Sequence, residues 1–284
     1  MATVEKDPVT GMETTGHEWD GIKELNTPLP RWWLYTFYAC ILWSFGYWIV
    51  YPSWPTFSDY AHGVIGYSSR AELDKDMAAA RKAQESWRVR LAAADIEAIV
   101  KDKDLIVYAT AGGRAVFAEN CQPCHGAGGA GRAGGYPVLA DDDWIWGGTP
   151  GEILNTVRVG IRSGHKDARV SEMPKFSDQL KAPEIAGLAD HVLSLSGKGA
   201  QNAAGAKLFE EQCAACHGPD GRGNKELGAP NLADGIWLHG ATKDAVAAQI
   251  ANPRHGVMPT WEGRLDAVAL KMVAAYVHAL GGGK

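Results

Sequence analysis

Twenty consecutive residues, Trp32 to Tyr51 (WWLYTFYACILWSFGYWIVY), carry no charge. As a helix rising 1.5 Å per residue this run spans about 30 Å, the hydrocarbon thickness of a bilayer. Trp32, Trp33 and Tyr35 gather at one end and Tyr47, Trp48, Tyr51 and Trp54 at the other. Amphipathic aromatics form such belts at both membrane interfaces. Pro30 and Pro52 bracket the run, so the pattern predicts a transmembrane helix over 32–51. A buried helix of a soluble domain does not account for aromatics at both ends. A cleaved signal peptide fits poorly too, because an acidic stretch precedes the run and no small-residue cleavage site follows it.

Helical periodicity resumes further on. Ser69-x-x-Glu72 reads as a capping box opening a helix that continues to about Ala93, and Asp95 to Lys101 reads as a second, short helix. Leu73, Met77, Trp87 and Leu91 give the longer helix one apolar side. Beyond it the chain repeats itself. Gly113 and Phe117 stand eight and four residues before Cys121, as Gly205 and Phe209 do before Cys213. Pro137, Leu139, Trp144 and Thr149 recur as Pro230, Leu232, Trp237 and Thr242. The closing stretches Leu188–Leu195 and Val273–Leu280 share helical apolar spacing. Each copy, 113–197 and 205–284, reads as a helix, a glycine-rich loop, short helices, a methionine loop and a last helix, with a short flexible link between the copies.

The chemistry sits at the same place in both copies. Cys121-Gln-Pro-Cys124-His125 and Cys213-Ala-Ala-Cys216-His217 are Cys-x-x-Cys-His motifs, the attachment signature of c-type haem. Two thiols three residues apart can each add to one porphyrin vinyl group, and the adjacent His reaches the iron. Paired Cys-x-x-Cys motifs can also hold zinc, but zinc requires no His directly after each pair, and the pairs here lie far apart. A thioredoxin-like reading would need a single motif in a βαβ context. Of the five cysteines only Cys40 is left over, in the apolar run, where it reads as a small buried hydrophobe.

A sixth iron ligand is available in each copy. Met173-Pro174 follows His125 by 48 residues to the methionine, and Met258-Pro259 follows His217 by 41. Proline stiffens the loop that carries the thioether. His/Met ligation raises the haem potential and suits an electron carrier. His165 and His255, each a few residues before its methionine, are the competing ligands. Their glycine- and arginine-bearing loops point instead to solvent or to the haem propionates. The repeat pairs each methionine with the haem of its own copy, and an exchanged pairing is open.

Charge changes the picture in one respect. A net charge of −5 without a basic cluster says little about nucleic acid, and no such partner is expected. Lys23 and Arg31 precede the apolar run, and no Lys or Arg follows it before Arg70. The positive-inside rule then puts 1–31 in the cytoplasm and the rest outside. Asp141-Asp142-Asp143 is the one dense acidic patch, suited either to steering a basic cytochrome or to a solvated loop.

Two resemblances follow. The copies resemble class I cytochrome c domains, in which the first and last helices cross beside the haem. The stretches Gly16-His17-Glu18-Trp19-Asp20-Gly21-Ile22-Lys23-Glu24-Leu25, Asn26 to Trp33, and Gly66-Tyr67-Ser68-Ser69-Arg70 resemble subunit III, of CcoP or FixP type, of bacterial cbb3-type cytochrome c oxidases. That resemblance implies a mostly α chain: a cytoplasmic segment 1–31, one transmembrane helix 32–51, a periplasmic helical linker 52–112 and two tandem class I cytochrome c domains, 113–197 and 205–284. It implies two covalent haem c groups. Cys121 and Cys124 would hold the first, with His125 and Met173 as axial ligands; Cys213 and Cys216 would hold the second, with His217 and Met258. It implies single-pass anchoring in the bacterial inner membrane and electrons taken from soluble or anchored cytochrome c. They would pass to the mono-haem subunit II and the catalytic haem–copper subunit I, with a small fourth subunit left open. No residue is assigned a catalytic role. A cytochrome subunit of a membrane dehydrogenase and a di-haem peroxidase are the alternatives; the first would lack the Gly16–Trp33 motif and the second would need an open iron face.

Overall fold

The structure is a computed structural model and describes residues 4–281; the outermost ends of the expected segments, 1–3 and 282–284, lie outside the described residues. It is mostly α and divides into two compact units, Met1–Lys82 and Ala83–Lys284.

In the first unit a hairpin precedes the anchor. Strands β1 (Thr14–Trp19) and β2 (Ile22–Leu25) pair antiparallel, with Trp19 opposite Ile22. The turn between them is Asp20-Gly21, both at positive φ (51° and 85°). Asp-Gly is a strong short-range hairpin signal, and it stands inside the quoted motif although no strand is expected there. Helix α1 (Arg31–Val50) has no buried residue, as a lipid-facing span requires. Past Tyr51 the chain doubles back: the amides of Val64 and Ile65 donate to the Ile49 and Val50 carbonyls, 3.0 and 3.4 Å away. These bonds satisfy carbonyls that the helix end leaves free. Gly63, at φ 75°, lies so close to the Val50 carbonyl that a Cβ would collide with it.

Helix α2 (Ser69–Ala93) starts where expected. The hydroxyl that accepts from its first turn is that of Ser68, bonded by the Ala71 amide at 3.3 Å, not that of Ser69. Leu73 and Met77 are exposed, whereas Leu91 is fully buried, so only the later part of the apolar side packs.

In the second unit α3 (Ile96–Lys101) follows Asp95 as expected. Helix α4 (Lys103–Asn120) begins well upstream of Gly113, so the boundary at 112/113 falls inside a helix. The reason is local: the Asp102 carboxylate caps the amides of Asp104 and Leu105 at 2.9 Å. Leu105, Ala109, Gly113 and Phe117 then repeat every four residues on one buried face. The remaining helices are α5 (Gln122–His125), α6 (Pro150–Val159), α7 (Ala182–Leu195), α8 (Ala203–Gln212), α9 (Ala214–His217), α10 (Lys243–Ala251) and α11 (Ala267–His278). The recurring threonines are helix caps: Thr149 opens α6 with a capping box to Glu152, and Thr242 caps α10.

The helices do not close within the halves that repeat in sequence. Helix α4, opening the first copy, packs on α11, closing the second; α8, opening the second, packs on α7, closing the first. Gly113 abuts Met272 and Tyr276, while Gly205 abuts Gly187 and His191. Phe117 meets Tyr276 at 5.3 Å between ring centroids, and Phe209 meets His191 at 5.2 Å. The expectation that each copy crosses its own first and last helices is therefore corrected. The repeat is a unit of sequence, and packing exchanges the last helices. Lys271 of α11 fastens the arrangement by donating to the carbonyls of Leu91, Ala92 and Ala94 at 3.1, 2.9 and 2.7 Å, a cation at the C-terminal end of α2.

Candidate haem sites

Each Cys-x-x-Cys-His motif stands at the end of a long helix. Cys121 caps α4 and Cys124-His125 lie on the single turn α5; Cys213 caps α8 and Cys216-His217 lie on α9. The helical turn brings both thiols and the imidazole together: the amides of Cys124 and His125 donate to the Cys121 carbonyl at 3.1 and 2.9 Å, and those of Cys216 and His217 to the Cys213 carbonyl at the same distances. Burial pushes the Cys121 and Cys213 thiols up to about 11, with a smaller push from the partner cysteine. Such sulfurs stay uncharged at neutral pH, and an uncharged thioether is what haem attachment makes of them.

The histidines are oriented from behind. His125 Nδ1 lies 3.3 Å from the Pro137 carbonyl and His217 Nδ1 lies 3.0 Å from that of Pro230. The carbonyl can only accept, so Nδ1 carries the proton and Nε2 keeps a lone pair for a metal. Burial lowers both pKa values, with the carbonyl bond opposing it in part, so the rings are held neutral. The two prolines recur in the repeat, but this bond was not foreseeable from residue type, since any backbone carbonyl could serve.

The methionine loops are where sequence order and space part company. Met258 packs in the cluster of Cys121, Leu139 and Trp144, whereas Met173 packs with Cys213, Leu232 and Trp237. Backbone bonds hold this exchange: Ile161 and Met258 bond in both directions at 3.0 Å, and the Trp261 amide donates to Val157 at 3.2 Å. The competing histidines are engaged elsewhere. His165 Nε2 is 2.8 Å from Glu262, and its Nδ1 accepts from the Asp167 amide at 3.1 Å. His255 Nε2 accepts from the Met173 amide at 3.0 Å. Neither is simply solvent-facing: both tie the two methionine loops across the halves.

Buried polar atoms test whether these pockets suit haem. Trp144 Nε1 and Trp237 Nε1, at matching places in the repeat, are buried without a hydrogen-bond partner among the described residues. Indole N–H is a donor only, and haem brings carboxylates that only accept. Paired thiols, a neutral imidazole, a thioether loop and an orphaned donor in each cluster fit haem c. The acidic patch is more crowded than its sequence suggests. Burial, then Asp234 and Asp141, raise Asp143 to about 6.

Comparison with known proteins agrees. The family model for the N-terminal domain of cytochrome oxidase-cbb3, FixP, matches residues 11–58. That for cytochrome c oxidase, cbb3-type, subunit III matches 109–192 and again 200–277. The chain is 52% identical to the FixP subunit of Bradyrhizobium diazoefficiens over 99% of its own length and 98% of that protein's. It is 48% identical to the CcoP subunit of Azospirillum brasilense over the whole of both chains. The chain belongs to the FixP/CcoP family. The CcoP subunit of Cereibacter sphaeroides, at 47% identity over 95% of each chain, carries the likeness beyond the FixP-named relatives. Membership of the FixP/CcoP family makes this a haem-c-binding, electron-transfer subunit of a cbb3-type cytochrome c oxidase and favours that reading over the dehydrogenase and peroxidase alternatives.

Proposed function

We propose that this subunit takes electrons from a soluble or anchored cytochrome c in the periplasm and delivers them toward the mono-haem subunit and the oxygen-reducing haem–copper subunit. Two covalent haems serve it. Cys121, Cys124 and His125 would hold one, with Met258 offering a further ligand; Cys213, Cys216 and His217 would hold the other, with Met173. The observation that carries the reading is the grouping of each motif with one methionine loop, Cys121 with Met258 and Cys213 with Met173. When bound, haem supplies a one-electron Fe(III)/Fe(II) couple. The chain's part is to keep Nε2 of each histidine free for iron through the proline carbonyls, to offer a thioether that favours the ferrous state, and to hold the pocket in apolar packing. A histidine and a methionine beside each motif would together occupy the iron that a peroxidase needs open.

Lys23 before α1 and Arg31 at its first position, with no Lys or Arg from its end to Arg70, support a cytoplasmic N-terminus and periplasmic haem domains in the bacterial inner membrane. A reporter active only in the periplasm should work when fused after Lys284 and fail when fused before Trp32. The relay itself is tested by spectra during redox titration of the purified oxidase. Two low-spin, six-coordinate c-type haems from this subunit, beside the haem of the mono-haem subunit, and turnover with reduced cytochrome c are expected; a high-spin component in this subunit would overturn the relay reading.

A further inference from the structure

We propose that Arg169 is the cation that anchors a propionate of the haem attached at Cys121 and Cys124. The inference rests on the haem reading above but reaches a residue that reading does not use. Arg169 lies four residues before Met173, yet its backbone belongs to the other site. Its amide donates to the Gly160 carbonyl at 3.2 Å, and its carbonyl accepts from the Arg162 amide at 2.9 Å. Ile161, between those two, bridges both to Arg169 and to Met258. The guanidinium then lies over the Trp146 ring, 5.3 Å from its centroid, two residues beyond the orphaned Trp144.

Arg169 Nε is buried and has no hydrogen-bond partner among the described residues. Among the described residues no carboxylate lies within ion-pair distance of it. Glu152, the one acid that attracts it, is committed to the Thr149 amide and hydroxyl at 2.9 and 2.7 Å. A guanidinium cannot shed its proton, so a desolvated N–H without an acceptor is costly. Stacking on Trp146 stabilises the charge but leaves Nε unanswered. Trp144 Nε1, in the Cys121 cluster, and Arg169 Nε, on the segment that Ile161 joins to Met258, are thus two unanswered donors. A carboxylate, with two oxygens that only accept, answers such a donor. The same loop would then grip one haem through Arg169 and ligate the other through Met173.

The test uses the whole oxidase carrying Arg169→Gln or Arg169→Lys, with Lys207→Gln, a 78% exposed side chain on α8, as the control for charge alone. Covalent haem content, the two midpoint potentials and the propionate bending bands in resonance Raman are read. Both covalent haems should remain in Arg169→Gln. One redox wave should move to lower potential, because a positive charge beside the couple is gone, and one propionate band should shift. Arg169→Lys should restore part of the potential but not the band, since an ammonium lacks the planar fork. Combined with Cys213→Ser and Cys216→Ser, which leave only the first haem, Arg169→Gln should still move the wave. With Cys121→Ser and Cys124→Ser it should not. Unchanged potentials and bands in Arg169→Gln, or a shift confined to the second haem, would overturn the proposal. A wild-type protein without covalent haem would instead overturn the reading beneath it.

Discussion

At the residue scale the decisive atoms are two thioether sulfurs. The clusters that join Met258 to Cys121 and Met173 to Cys213 predict which haem each methionine controls. In a variant with only the first haem, Met258→His should abolish the Met–Fe(III) near-infrared band and lower the potential by on the order of 0.2 V, within the about 0.8 V that axial ligands span. Met173→His in the same background should leave the band intact. The reverse outcome would restore pairing within each half. Asp143 allows a pH test. Its folded pKa, about 6, lies above the ordinary 3.8, so ionising it costs stability as pH rises through that interval. Asp143→Asn should therefore be the more stable protein at pH 7–8, by about 1 kcal/mol once solvent screening is discounted. The advantage should vanish below pH 4 in thermal melts. The eight cysteines, histidines and methionines stood out as candidates because haem chemistry dictates their types and spacing. The Trp144, Trp237 and Arg169 donors were not legible as a set, because what marks them is burial without a partner.

Helices meet here through single glycines. A Cβ on Gly113 would collide with the Met272 carbonyl, fixed backbone of α11, whereas one on Gly112 meets only the flexible end of the Met272 side chain. Gly113→Val should cost about 3 kcal/mol by forcing α4 and α11 apart. Gly112→Ala should cost under about 1 kcal/mol, since a methionine can move aside. Chemical denaturation of the two variants checks this, and equal losses would mean that α4 and α11 are not in close contact. The glycine, phenylalanine and threonine-cap signals were readable at this scale because each expresses a local requirement. The start of α4 was misread because its cap, Asp102, lies in a stretch that reads as linker. The hairpin was missed although Asp20-Gly21 announces it.

Over the whole molecule, the exchange of last helices predicts an outcome that runs against sequence order. A chain ending at Asn252 lacks α11 and the Met258 loop but retains α7, α8, α9 and α10. It should keep its second haem, at Cys213 and Cys216, and hold the first poorly, although the first motif lies far from the cut. Haem-stained peptides after proteolysis would read this directly; loss of the second haem with retention of the first would contradict the packing.

The amino-acid sequence by itself determined the long apolar helix, the repeat, the two Cys-x-x-Cys-His motifs and the family, because each depends on spacing along one stretch of chain. Tertiary structure alone decided which helix closes which site. The two copies present the same glycine and phenylalanine on their first helices, so α4 and α8 are interchangeable partners by pattern. The short connection through 196–202 folds α8 back onto α7, as short links between helices do. With that pair made, α11 is left to cover α4, and its preceding loop brings Met258 to the first motif.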